Sequence, residues 1–325
     1  MKPPYTINAP IIQLISAISQ KIGEINSSLL IKQAPALRKR NRIRTIQASL
    51  AIEGNTLSID QITAIIENKK VIGPVKDIKE VTNAVAVYNQ IHQLKPNSEK
   101  SFLSAHNILM HGLIPQSGLY RKTGVGIVKG DQLAHVAPPA KNIPYLMKDL
   151  FHYLKTSDDH IFIKSCVFHY EMEFIHPFAD GNGRMGRLWQ TLLLLQEFPL
   201  FEFLPFETLI SKNQKAYYKA LANNDKSGES TQFITFILTS INTSLDELLK
   251  ERIGPVSSED RIKIFLDIFV NEFSRKDYLN YFKTISTATA SRDLNKAVKE
   301  ELILKIGDKN NTTYKRLNTQ NSSIH

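Results

Sequence analysis

His176-Pro177-Phe178-Ala179-Asp180-Gly181-Asn182-Gly183-Arg184-Met185-Gly186-Arg187 carries more chemistry than any other stretch of this 325-residue chain. An imidazole opens it, and a carboxylate, Asp180, follows four residues later. The turn Gly181-Asn182-Gly183 leads into an apolar run ending at Leu195 that reads as a helix. Glycines let backbone N–H groups converge on an anion, and the start of a helix adds its positive end. Arg184 and Arg187 stand one turn apart, so both guanidinium forks point to one side, where they suit phosphate oxygens. Asp180 is a hard oxygen ligand suited to a Mg²⁺ that bridges phosphates. His176 ends the apolar helical run 161–175, Pro177 stops that helix, and imidazole titrates where a general base is needed. Each part alone is commonplace: a structural histidine, a turn, a solvated arginine face, a cap. Together and in this order they are the parts that hold a nucleotide polyphosphate and deprotonate whatever attacks it.

Residues 176–187 match the signature His-Pro-Phe-x-(Asp/Glu)-Gly-Asn-Gly-Arg-x-x-Arg at every fixed position, and in this the chain resembles the Fic-domain family. That family consists mostly of protein adenylyltransferases, which move AMP from ATP to a hydroxyl side chain of a target protein and release pyrophosphate. The resemblance implies His176 as the base on the target hydroxyl and Asp180 as the Mg²⁺ ligand. It implies Gly181, Asn182 and Gly183 as the phosphate cradle, with Arg184 and Arg187 on the β- and γ-phosphates. ATP is then the co-substrate, and the target is a protein with a Tyr, Thr or Ser hydroxyl, the chain itself included. Family members often pair, which leaves a homodimer open.

Ser49-Leu50-Ala51-Ile52-Glu53-Gly54 fits the family's inhibitory pattern (Ser/Thr)-x-x-x-Glu-(Gly/Asn), and it lies N-terminal to the core as in class II members. A Glu53 carboxylate abutting the site can pair with Arg187, which the γ-phosphate needs. Misplaced phosphates are then not in line for attack, and an error of about 1 Å costs orders of magnitude in rate. Ser49, one turn earlier, is positioned to steady Glu53 by hydrogen bonding.

Between these motifs, Val125-Gly126-Ile127-Val128 and 133–137 flank the polar turn 129–132 and read as a hairpin. By resemblance this is the flap, which lies over the site and presents the target segment by backbone pairing, as an exposed strand edge can. Tyr217 and Tyr218 resemble the family's tyrosine pair beside the adenine, a role that aromatic faces can fill by stacking.

Apolar residues recur at helical spacing over 10–31, 42–51, 58–67, 76–94, 101–111, 144–155, 161–175, 184–198, 211–222 and 231–252, so the fold class is mainly α. The expected architecture is a Fic-fold helical core with a β-hairpin flap. Residues 1–100 form an N-terminal helical extension carrying the inhibitory segment, and 101–253 form the catalytic core. Ile253 to Ser258 reads as a linker. Residues 259–320 resemble a small winged helix-turn-helix domain, with a recognition helix leading to Glu301 and a wing over 302–317. Arg292, Lys296 and Lys299 could reach DNA, but Asp293, Glu300 and Glu301 match them, so a structural or protein-contact role is favoured over nucleic acid.

The net charge of +10 suits nucleotides or acidic partners. The run Arg38-Lys39-Arg40 with Arg42 and Arg44 reads as a solvated helix face. No stretch approaches the length of a membrane span, and the start of the chain lacks a signal peptide. The single cysteine, Cys166, cannot form an internal disulfide, which suits the reducing cytoplasm. It lies in an apolar run and is expected to be buried and inert. Apart from His176, no histidine is assigned a catalytic role. Three rival readings stay open: removal of AMP with Glu53 activating water, transfer of another phosphate-linked group, and a DNA-binding regulator with a vestigial site.

Overall fold

A computed structural model describes residues 3–27, 35–124, 126–129, 132–251, 257–269, 272–283, 285–308 and 312–317. The chain divides into two units, Met1–Ile25 with Arg38–Lys250, and Asn26–Leu37 with Glu251–His325. The described elements of the first are α1 (Ala9–Ser27), α2 (Pro35–Ile52), α3 (Ile59–Ile66), α4 (Val75–Asn89), α5 (Glu99–Leu109), the strands β1 (Gly126–Lys129) and β2 (Gln132–Val136), α6 (Ile143–Thr156), α7 (Ile161–Ile175), α8 (Asn182–Leu195), α9 (Glu207–Lys212), α10 (Gln214–Ser227) and α11 (Thr231–Glu251). No helix among the described residues is long and apolar enough to cross a membrane.

α7 and α8 are the centre of this unit. Each is buried around nearly its whole circumference rather than along one stripe, because neighbours cover almost every side. Phe162, Phe168, Met172, Trp189 and Leu194 are all fully buried. An aromatic cluster joins them to α5: Phe102 meets Trp189 edge-on at 4.9 Å and stacks on Phe178 at 5.4 Å. Trp189 Nε1 donates to Pro96 O at 2.9 Å, so the buried indole leaves no donor unpaid. This packing fixes the short connection 176–181 between the two helices. Cys166 is fully buried there, and burial pushes its thiol up to about 12, so it is inert as expected.

α2 packs differently. Ile43, Ile46 and Leu50 are buried, but so are Asn41, Thr45 and Ser49, a polar stripe at helical spacing. Its basic residues are partly engaged rather than wholly solvated: Arg38 reaches Glu202 at 3.3 Å, Lys39 reaches Glu67 at 2.9 Å and Arg42 donates to Asn89 at 2.9 Å. The expected helix 76–94 stops at Asn89, and Ile91–Gln93 forms a separate 3-10 turn whose buried Ile91 continued the apolar pattern past the true end. The expected helix 211–222 is divided at Asn213, with α9 before it and α10 running on to Ser227.

The second unit contains α12 (Ser258–Ile268), β3 (Phe273–Ser274), α13 (Arg275–Tyr281), α14 (Thr287–Lys299), β4 (Ile303–Ile306) and β5 (Thr313–Arg316). The strands form an antiparallel sheet in the order β3-β5-β4. Phe265, Phe273, Tyr278, Leu294 and Ile303 make its core. Ser274 and Asp277 close a capping box at the start of α13, and Ser286 caps α14. Asp293, expected on the surface, is 2% exposed because Arg261 takes it in a bidentate pair at 2.6 and 2.9 Å and Tyr278 donates to it at 3.1 Å. Of the expected linker, 253–256 lie outside the described residues, and Ser257 and Ser258 cap and begin α12.

Candidate active site

The connection 176–181 is braced by its own residues. His176 caps α7 in the left-handed conformation, φ 50 and ψ 59, an uncommon state for a residue other than glycine. Its Nδ1 lies 3.4 Å from Glu173 O. A carbonyl only accepts, so this contact favours the proton on Nδ1 and the lone pair on Nε2, the tautomer a base needs. Gly181 then turns the chain at φ 85, where a Cβ would also meet Met110 Sδ at 2.7 Å. Asn182 is 2% exposed, and its side chain spans the bend: Oδ1 accepts from Phe178 N and Nδ2 donates to Phe178 O, both at 2.9 Å. The Asn182 side-chain amide is thereby spent on the loop. What the cradle offers is backbone: Met185 N is the first to enter the ladder of α8, at 3.0 Å from Gly181 O, which leaves the N–H groups of Asn182, Gly183 and Arg184 outside it.

Asp180 is exposed, and its Oδ1 accepts from Gly181 N at 2.6 Å and Arg184 Nη2 at 3.0 Å. No group of three metal-binding side chains gathers among the described residues. One exposed carboxylate fits Mg²⁺ nonetheless, because that ion takes one or two carboxylates and completes its shell with water and phosphate oxygens.

The two arginines are held by different acids. Arg184, buried, gives Nη1 to Glu80 Oε1 at 2.9 Å. Arg187, 1% exposed, gives Nη2 to Glu53 Oε1 at 2.7 Å and to Ser49 O at 2.8 Å, and Nε to Ser49 Oγ at 3.1 Å. Ser49 thus holds Arg187 rather than steadying Glu53. Burial works against the Arg187 charge, yet Glu53, Tyr217 and Glu173 raise its pKa above the usual guanidinium value. Glu53 follows the last residue of α2, and Gly54 ends the turn at φ 91. The Glu53 carboxylate lies against Gly183, where a Cβ would collide with it.

Of the expected flap residues, Val125 lies outside the described ones, and Gly126, Ile127 and Val128 belong to β1. β1 pairs antiparallel with β2, Gly126 opposite Val136 and Ile127 opposite His135, with an irregularity before Val128. The tyrosine pair divides. Tyr217 is 1% exposed, with its hydroxyl 3.2 Å from His169 Nε2, whereas Tyr218 is only partly buried, its hydroxyl 3.5 Å from Ile52 O.

Several supporting residues escaped sequence reading. His106 accepts from Gly118 N at 2.8 Å through Nδ1, so Nε2 donates to Asp180 O at 3.0 Å, and the ring stacks on Phe178 at 3.6 Å. Burial pulls its pKa down to about 4, so it stays neutral. His169, pulled down to about 3 by burial, contacts Gln190 at 2.7 Å through Nδ1. Glu80 also accepts from Asn55 at 2.9 Å, just past the segment 49–54. Scattered histidines and a lone glutamate carry no local pattern, and only the helix packing brings them here.

The profile of the Fic/DOC family matches residues 96–194. Over 99% of this chain and 100% of the other, the fold superposes on a Fic family protein from Desulfovibrio desulfuricans G20 with 39% identity and a TM-score of 0.75. The chain belongs to the Fic family. Residues 134–508 of Fic-1 from C. elegans share the fold at a TM-score of 0.63, with 20% identity over 75% of this chain and 73% of that one. A protein adenylyltransferase Fic from Nematostella vectensis is 27% identical over 254 residues, 73% of this chain and 57% of its own length. The chain spans about half the length of the curated relatives it matches.

Proposed function

We propose that this Fic protein is an ATP-dependent protein adenylyltransferase held in check by Glu53. The observation that supports the reading is the stretch 176–187, which holds an imidazole, an exposed carboxylate, three N–H groups outside the helical ladder and two buried arginines. His176 Nε2 takes the proton from a Tyr, Thr or Ser hydroxyl. The hydroxyl oxygen attacks the α-phosphorus of ATP, the bond from that phosphorus to the bridging oxygen breaks, and pyrophosphate leaves with the electron pair. The backbone of 182–184 and the forks of Arg184 and Arg187 bind the phosphate tail. Asp180 would hold a Mg²⁺, which would supply neutralising positive charge to the phosphate tail. Tyr218 offers the accessible ring for adenine.

Restraint follows from place. Glu53 occupies Arg187 and lies against Gly183, where the γ-phosphate has to go, so ATP cannot seat its phosphates for in-line attack while the pair stands. Incubating the Glu53→Gly chain with ATP tests the reading: intact-mass analysis should find an adenylyl group on hydroxyl side chains, and a different added group, or none, overturns it.

The reading extends to the organisation. Residues 1–100 act as the extension carrying the restraint and 101–253 as the catalytic core. Residues 259–320 act as a winged helix, supported by the order helix, strand, two helices, two strands. Its role is contact with protein, as a homodimer or with the target. Lys296 is engaged by Glu259 at 2.6 Å and Glu300 at 3.7 Å, so among the described residues Arg292 and Lys299 are the two candidate cations with no acid paired to them. A gel shift with duplex DNA at low salt should give no band, and a band reassigns the unit. The buried lone thiol suits a reducing compartment such as the cytoplasm.

A further inference from the structure

Arg121 is 3% exposed, and among the described residues no carboxylate pairs with it. A buried guanidinium ordinarily requires a counter-charge. This one gives its donors to main-chain carbonyls instead: Nε to His176 O, Nη1 to Thr123 O and Nη2 to Pro138 O, each at 2.7 Å, with Nη2 also 3.4 Å from Ile175 O. Its backbone N–H donates to Pro177 O at 2.9 Å. Burial lowers its pKa without removing the charge.

Three stretches of chain meet on this one side chain. Residues 175–177 carry the base and the proline that ends α7. Thr123 precedes β1, and Pro138 follows β2. His176 is held at φ 50, a conformation that costs a residue with a Cβ about 1–2 kcal/mol and persists only where the surroundings over-determine it. A charged donor on the carbonyl of that same residue is a direct means of holding it. The planar fork supplies fixed directions, which an ammonium does not.

We propose that Arg121 is a positioning residue that locks the left-handed backbone of His176 to both ends of the β1–β2 hairpin, so that the base and the hairpin beside it move as one body. Its effect on rate rests on the transfer reading above, whereas the clamp itself does not.

Arg121→Lys in the Glu53→Gly chain keeps the charge and loses the fork. ATP affinity should hold, because the phosphate-binding groups lie on α8. The labelling rate should fall about 100-fold, the cost of misplacing a reacting group by about 1 Å. The His176 imidazole, followed by NMR, should titrate with a shifted midpoint, which a merely structural role would leave in place. Unchanged rate and titration overturn the clamp. If the Glu53→Gly parent labels nothing, the transfer reading fails, while the titration still decides the clamp. If Arg121→Lys does not fold, the unmodified chain serves. Its Arg121 Nε–H should exchange with solvent far more slowly than that of exposed Arg292, and equal exchange overturns the proposal.

Discussion

Two regions meet at Arg187 and are held by different means. The loop between α7 and α8 is tied to itself and to the core: Asn182 to Phe178 in both directions, His106 to Asp180 O, and the His106 ring against Phe178. The end of α2 reaches the same arginine through polar groups alone, the Glu53 carboxylate and the hydroxyl and carbonyl of Ser49. Behind those groups runs the buried polar stripe of Asn41 and Thr45. The Asn182 bonds join neighbours within one short segment, whereas those on Arg187 join residues 134 and 138 positions apart. The contrast is one of range: the loop is braced largely by its own residues, whereas the ties on Arg187 bridge two distant segments.

The largest way to break the comparison is to remove the base. His176→Ala should lower AMP transfer by roughly 10²–10⁴-fold, with or without Glu53, measured as the initial rate of labelling. A loss that Glu53→Gly repairs would mean that His176 belongs to the restraint. Next in size is Glu53→Gly alone. Labelling should rise about 100-fold as the phosphates become free to seat. The Tm should fall modestly, since among the described residues Arg187 then keeps its hydrogen bonds to Ser49 alone.

Glu207 of α9 sharpens the picture through pH. It is fully buried, accepts from Thr191 Oγ1 at 3.0 Å, and burial raises its pKa from 4.5 to about 7. Between those values the folded chain keeps the proton that the unfolded chain releases, so this group's contribution to stability declines as pH rises through that window. Glu207→Gln, neutral throughout, should remove that decline and raise stability above pH 7 by no more than about 3 kcal/mol, read from Tm against pH. An unchanged slope would show that Glu207 is ionised in the fold.

Asn182→Ala tests the loop side. It forfeits two buried hydrogen bonds, about 2 kcal/mol together, and should depress both Tm and labelling even in the Glu53→Gly chain. Ser49→Ala should be the smallest change, loosening Arg187 by about 1 kcal/mol and raising basal labelling a few-fold. A Ser49 effect equal to that of Glu53 would mean that the restraint is shared rather than carried by the carboxylate.

The contrast also explains what the sequence could tell. The loop was legible because its parts are consecutive: turn residues, a helix stop and a helix start lie within twelve positions. The mainly helical class was legible because apolar spacing is local. Ends were less so, since buried Ile91 prolonged the apolar pattern beyond Asn89. The partners of each arginine were only half legible. Glu53 stands in a short pattern, but Glu80 and the carbonyls around Arg121 come from distant segments with no spacing rule. The sequence left the Asn182 side chain without a stated partner, and only the closed contact with Phe178 shows how it braces the bend. Asp293 read as a surface acid because nothing local announced Arg261, 32 residues earlier.

The most direct measurement follows two labels through the Glu53→Gly chain, with ATP labelled at the α-phosphorus in one reaction and at the γ-phosphorus in the other. Adenylyl transfer by the loop predicts that the α-label becomes protein-bound, that the γ-label leaves as pyrophosphate, and that the added change His176→Ala abolishes protein labelling. Protein carrying the γ-label, or α-labelling that survives His176→Ala, would contradict it.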